Sequence, residues 1–175
     1  KTVVALWQAA GGYPADLVVV SDIPIGKGMS SSAALCVAII VGVNPNQDKM
    51  AICQKAQQLE HEILGTPCGL LDQMAIVYAK QDHATMINFD DLSVEYLPLP
   101  DSWIFKLVDS DIHRRLSEVD YQTNKEFQQL HVDGENKRVI EALNSNAANL
   151  GKLLNESHES LRKLGVSLPA IDALV

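Results

Sequence analysis

Hydrophobic residues in this chain form short unbroken runs at some points and follow helical spacing at others. Leu17-Val18-Val19-Val20 is unbroken and β-branched, and reads as a buried strand. Ala33 to Val43 has no breaker before Gly42 and reads as a helix. Asp48 to Leu64 opens on an apolar run and continues with apolar residues at 56, 59, 63 and 64, which predicts a helix packed on one face. A further apolar helix is expected from about Leu70, after the breakers Pro67 and Gly69. Ala84 to Phe89 and Val94 to Leu97 read as two short strands joined by the turn residues Asp90-Asp91. Trp103 to Val108 reads as another strand. Two helices follow, about Val132 to Ser145 and Ala147 to Leu164, with Gly165 as a C-cap signal. This mixture implies an α+β fold with mostly antiparallel sheet. Glu95 to Ser102, with Pro98 and Pro100, marks the expected boundary between two lobes, 1–99 and 100–175.

The chain has 175 residues, 47% of them hydrophobic, enough for one good core or two small ones. No apolar stretch approaches the ~20 residues needed to span a bilayer, and no signal peptide opens the chain, so no membrane partner is expected. Cys36, Cys53 and Cys68 match no zinc spacing and no disulfide framework, which points to a reducing, cytoplasmic setting. A net charge of −8, from 22 acidic and 14 basic residues, argues against nucleic-acid binding. It does not argue against a nucleotide, because local dipoles and Mg²⁺ outweigh a distant screened charge.

Chemistry enters between the first apolar run and the first long helix. Pro24-Ile25-Gly26-Lys27-Gly28-Met29-Ser30-Ser31-Ser32-Ala33-Ala34 is a glycine-rich loop ending in three hydroxyls at a helix start. Such a start offers unpaired N–H groups and the positive end of the helix dipole, which suits a phosphate. The glycines permit positive φ and a close approach of backbone to an anion. Serines there can cap the helix, donate to phosphate oxygens or ligate Mg²⁺. The plainer reading is a tight turn with a serine N-cap. No Gly-Lys-Ser/Thr closes the loop as in a Walker motif, and the third glycine of the Rossmann fingerprint is missing.

Two carboxylates form a second group. Glu60 and Glu62, in Glu60-His61-Glu62 near the end of their predicted helix, both oppose the helix dipole, so at least one should have a compensating partner. Surface carboxylates are ordinarily solvated, but Glu60 stands four residues after Ala56 and four before Leu64, on the edge of the buried face. Asp72 falls in the first turn of the next helix, among Leu70, Leu71, Met74, Ala75 and Ile76. It is either a simple dipole partner or a positioned carboxylate suited to accepting a hydroxyl proton; spacing leaves the two open.

Pro24 to Ala34 resembles the phosphate-binding motif of the GHMP kinases, Pro-x-Gly-x-Gly-Leu-Ser-Ser-Ser-Ala. Met29 stands for the usual leucine and Lys27 for a residue that is usually small. Glu60-His61, with Pro67-Cys68-Gly69-Leu70-Leu71-Asp72-Gln73 after it, is similar to the galactokinase branch of that family. Val108 to Leu116, followed by Asp120-Tyr121, resembles the same branch, as does Asn155 to Leu161 in a helix to which no chemistry is assigned.

The resemblance implies a two-lobed GHMP-kinase-like fold with mixed and antiparallel sheets and packed helices. It implies ATP and Mg²⁺ as cofactors and a small sugar as substrate. Gly26, Lys27, Gly28, Met29, Ser30, Ser31 and Ser32 would bind ATP phosphates, Ser32 and Glu60 would hold Mg²⁺, and Asp72 would be the catalytic base. Gly69, Asp72 and Tyr121 would contact the sugar. The implied reaction is transfer of the ATP γ-phosphoryl group to the anomeric hydroxyl of galactose. Alternatives are the same chemistry on a uronic acid, arabinose or fucose, which His113-Arg114-Arg115 keeps open, or a non-catalytic sugar and ATP sensor. The family's first motif, Gly-Glu-His-Thr-Asp-Tyr, and its last glycine-rich motif do not occur, so a fold incomplete at both ends is expected. Gln122-Thr123-Asn124-Lys125 departs from the arginines the family carries after the tyrosine.

Overall fold

The structure is a computed structural model that describes residues 1–111 and 125–175, with side chains from 127 onward in the second stretch. The chain divides into two compact units, Lys1–Asp101 and Ser102–Val175. In the first unit the order is α1 (Thr2–Ala9), α2 (Ser31–Val43), α3 (Lys49–Leu59), α4 (Leu71–Val77), β1 (His83–Asn88) and β2 (Ser93–Pro98). The second holds α5 (Lys125–Ala142), α6 (Ala147–Leu164) and the short α7 (Pro169–Asp172). The fold is α+β with an antiparallel hairpin, as the sequence pattern implies.

The first unit is built on α2, which packs against α1, α3 and α4. Its sequence, SSAALCVAIIVGV, is apolar nearly all round, as befits a helix enclosed by three others. Leu6 of α1, Cys36, Val37, Ile39 and Ile40 of α2, and Ile52, Ala56 and Leu59 of α3 form one buried cluster. Helix α3 starts at Asp48, whose carboxylate accepts from the Met50 and Ala51 amides at 2.9 and 3.1 Å. After Leu59 the backbone widens into one π turn, Glu60–Leu64, closed by Gly65 at φ 66°. The continuous helix expected over 48–64 is therefore interrupted at the residue of greatest chemical interest. Single π turns of this kind recur at functional sites.

The hairpin pairs His83 with Pro98 through Asn88 with Ser93. Its loop is fixed locally: Asn88 Oδ1 accepts from the Asp90 amide and Asp91 Oδ1 from the Ser93 amide, both at 2.9 Å. In the second unit α5 packs on α6, with His131 Nδ1 2.8 Å from Ser160 Oγ. Gly165 ends α6 at φ 81°, and His158 Nε2 meets Asp172 Oδ1 of α7 at 2.9 Å. His158 thus has a structural partner.

Two expected strands are absent. Residues 17–20 and 103–108 form no ladder, and all their side chains but the half-buried Leu17 and Trp103 face solvent, Val18 and Val20 at 88% exposure and Leu107 at 81%. An unbroken apolar run reports affinity for a buried place, but a strand also needs a neighbour to take its N–H and C=O groups. Among the described residues the ladder of β1 and β2 offers none to either run. Conversely, α1 carries no cap signal at Lys1 and opens on the β-branched Thr2-Val3-Val4, yet it forms because Leu6 is buried against α2 and α3.

Leu59 and Val18 separate these cases in urea. Leu59→Ala is expected to lose about 2–5 kcal/mol of unfolding free energy. Val18→Ala is expected to stay within about 0.5 kcal/mol. A loss at Val18 comparable to that at Leu59 would restore the buried strand.

Candidate active site

The glycine-rich loop leads into α2 through an alternating backbone. Gly26, Gly28 and Ser30 adopt φ of 74°, 75° and 52°. Alternation of this type turns successive N–H groups toward one side, a concavity that suits an anion. Two of the three positions are glycines, for which positive φ carries no Cβ penalty. Ser30 is the exception, a non-glycine residue held in the left-handed region at the N-cap. Its side chain makes no capping bond, and no acidic residue lies in the first turn of α2. The N–H groups at the head of this 13-residue helix are therefore uncapped by side chains.

Ser32, the second residue of α2, donates its hydroxyl to Glu60 Oε1 at 2.7 Å. This bond joins residues 28 apart in sequence, and it brings the end of the glycine-rich loop to the π turn. Glu60 is only 2% exposed, whereas its neighbours His61 and Glu62 are exposed. The second carboxylate oxygen, Oε2, accepts from Gln73 Nε2 and lies 3.8 Å from Cys68 Sγ. Burying a carboxylate is costly unless both oxygens find donors, and here they do.

The segment between Glu60 and α4 is tied down by Cys68. Its carbonyl accepts from Gln57 Nε2 at 3.0 Å, and its amide donates to His61 Nε2 at 3.2 Å. Gly69 is exposed in this segment, ahead of α4. Asp72 occupies the first turn of α4 and is half-buried, with no hydrogen bond to its carboxylate among the described residues. The next residue, Gln73, is fully buried. The site therefore presents one carboxylate tied inside the protein and another left available at the surface.

The buried thiols report on the same environment. Burial first, then the charges of Glu60 and Cys68, push the Cys36 thiol up to about 12. Burial likewise raises Cys53 to about 11 and holds Cys68 above the ordinary thiol range. The charges of Glu60 and, more weakly, Asp72 add to that rise at Cys68.

Sequence reasoning named Ser32, Glu60 and Asp72 and missed the parts played by Gln73 and Cys68. A signal existed for Gln73: it lies on the i, i+3, i+4, i+7 stripe of Leu70, Gln73, Met74 and Val77, which is otherwise apolar. Lys27 and Met29 lie in the loop, Met29 exposed and Lys27 half-buried. Tyr121, expected to contact sugar, lies outside the described residues, as do His113, Arg114 and Arg115.

Among the described residues no group of three or more His, Cys, Asp and Glu side chains stands together as a metal cage. Ser32 and Glu60, joined by their hydrogen bond, supply two hard oxygen donors side by side. That set fits Mg²⁺, which characteristically takes one or two protein oxygens and fills its octahedron with substrate phosphates and water.

Residues 1–80 match the family model described as GHMP kinases N terminal domain. The curated relatives include a galactokinase from Thermotoga maritima, 33% identical, with 86% of this chain aligned to 54% of that protein. A galactokinase from Roseiflexus sp. (strain RS-1) is also 33% identical, over 92% of this chain and 54% of that one. This chain is a relative of the galactokinases. It spans about half the length of the curated relatives it matches. Among solved structures, galactose-complexed Lactococcus lactis galactokinase aligns with 97% of this chain and 44% of its own, at 21% identity and a TM-score of 0.48.

The thiols provide a direct check on this packing. Native protein treated with iodoacetamide at pH 8 should leave Cys36 and Cys53 unmodified by mass spectrometry, since the thiolate is the reactive form. Because the folded Cys36 value lies above the unfolded one, its contribution to stability is intact below about pH 9. It is lost as pH rises from there toward 12. Rapid labelling of Cys36 in folded protein would contradict its burial in the apolar cluster.

Proposed function

We propose that this chain belongs to an ATP-dependent sugar 1-kinase of galactokinase type, acting on the anomeric hydroxyl of galactose. The observation that carries this reading is the 2.7 Å bond from Ser32 to Glu60, which unites a phosphate-binding loop with a buried carboxylate. In this reading residues 1–99 belong to the N-terminal lobe of the enzyme and 100–175 to the C-terminal lobe. Three free cysteines and the absence, among the described residues, of any helix long and apolar enough to cross a membrane support a cytoplasmic setting.

The loop amides from Gly26 to Ser32 and the head of α2 bind the ATP phosphates and spread their charge over fixed dipoles. Lys27 and Met29 flank that path. Ser32 and Glu60 hold Mg²⁺, which when bound neutralises charge on the β- and γ-phosphates. Asp72 accepts the proton of the anomeric hydroxyl and orients that oxygen for in-line attack. The hydroxyl oxygen forms a bond to the γ-phosphorus as the bond to the bridging oxygen breaks and ADP leaves. Phosphoryl transfer asks mainly for such positioning and charge stabilisation. Gly69 and Tyr121 contact the sugar in this reading.

The test is ADP release with Mg-ATP and a panel of sugars, on this chain and on a version extended at both ends. Galactose-dependent release is the expected result. Release with a uronate, arabinose or fucose alone would keep the mechanism and change the substrate. Sugar binding without release would mark a sensor. In the active form Asp72→Asn should lower kcat by about 10²-fold or more while the urea midpoint stays in place. Near-full kcat would remove Asp72 from the reaction. Glu60→Gln should raise the Mg²⁺ concentration needed for half-maximal rate by about tenfold or more, and an unchanged Mg²⁺ titration would count against its role.

A further inference from the structure

We infer that Gln73 is the positioning residue for Glu60: its amide fixes one carboxylate oxygen and so leaves the other to Ser32 and a divalent cation. This rests on the phosphate-site reading above. Gln73 lies on the apolar stripe of α4 and is fully buried, and its Nε2 donates to Glu60 Oε2. Its Oε1 is buried with no hydrogen-bond partner among the described residues. An orphaned buried acceptor is destabilising, and replacing both members of a buried polar pair by apolar groups of similar shape is often nearly neutral. Packing alone therefore favours apolar side chains at both 60 and 73. The amide is explained by what it does to Glu60.

The consequence is geometric. Ser32 bonds Oε1 and Gln73 bonds Oε2, so the carboxylate is gripped from α2 on one side and α4 on the other. Cys68 Sγ, 3.5 Å from Gln73 Nε2 and 3.8 Å from Glu60 Oε2, closes the same corner. A carboxylate with one oxygen pinned loses the freedom to turn away from a cation. Partners of this kind around a metal ligand characteristically carry 10–100-fold of metal affinity or activity.

The test is Mn²⁺ binding in the presence of a non-hydrolysable ATP analogue, read by electron paramagnetic resonance on this chain. Gln73→Met is expected to raise the Mn²⁺ Kd about tenfold or more. In a Glu60→Gln background it should add little further loss, because Gln73 acts through Glu60. An unchanged Kd, or an equal loss in both backgrounds, overturns the role of Gln73. If E60Q alone still weakens Mn²⁺ binding, the phosphate-site reading survives that result. Absence of Mn²⁺ binding by the unaltered chain overturns the reading and this inference together. Should Gln73→Met fail to fold, the side-chain amide resonance of Gln73 decides in the unaltered chain. It should exchange slowly and shift when Mg²⁺ and the nucleotide analogue are added, and an amide that does not move overturns the inference.

Discussion

A buried carboxylate organises the first unit. Glu60 is placed where water cannot solvate it, and a group so placed must recruit donors or destabilise the fold. It recruits them from α2 through Ser32 and from α4 through Gln73, two helices that already pack on each other. The apolar cluster of Leu6, Ile40, Ile52 and Leu59 supplies the burial that makes this demand strict. The polar network in turn fixes the order of the elements around it, since neither partner can slide along its helix without orphaning an oxygen. The π turn has a visible part in this. It ends the regular spiral of α3 at Glu60, and both Gly65 and Thr66 donate their amides to the Glu60 carbonyl, so backbone and side chain of one residue are held together.

The glycine-rich loop meets a different constraint, that of a backbone kept open. Helix α2 begins without a side-chain cap and with Ser30 in the left-handed region, an arrangement that stability alone disfavours by about 1–3 kcal/mol for the strained residue. Glycine at 26 and 28 keeps the rest of the alternation free of that penalty. Local dipoles of this sort act over a few ångströms, well inside the screening length that isolates them from the net charge of −8. The overall acidity of the protein therefore does not set the local field at this loop.

Much of this was legible in the sequence because helical periodicity and turn chemistry are local. The helices at 31–43, 71–77 and 147–164 follow from spacing and breakers, and the hairpin from two alternating runs around Asp90-Asp91. What failed was non-local. Leu17 to Val20 and Trp103 to Val108 have strand composition, yet a strand exists only with a partner, and composition does not say whether one is present. Glu60 looked like an edge residue because it stands four residues from Ala56 and from Leu64; the approach of Ser32 and Gln73 explains its full burial. The family resemblance supplied the pairing of Ser32 with Glu60, which no spacing rule contains. Gln73 was readable in principle, as the polar break in an apolar stripe, but its partner lies thirteen residues away across a loop.

The adjacency of Asp72 and Gln73 makes α4 more than a scaffold. Consecutive residues on a helix point about 100° apart, so a helix that buries Gln73 must turn Asp72 toward its flank. The interior bond from Gln73 to Glu60 therefore sets the rotation of α4, and with it the direction of the outer carboxylate. The enclosed carboxylate of Glu60 and the half-buried one of Asp72 are thus related through a single turn of helix. A shift of one residue that put Asp72 in the place of Gln73 would enclose it against Glu60. The repulsion of two enclosed carboxylates is what excludes that register.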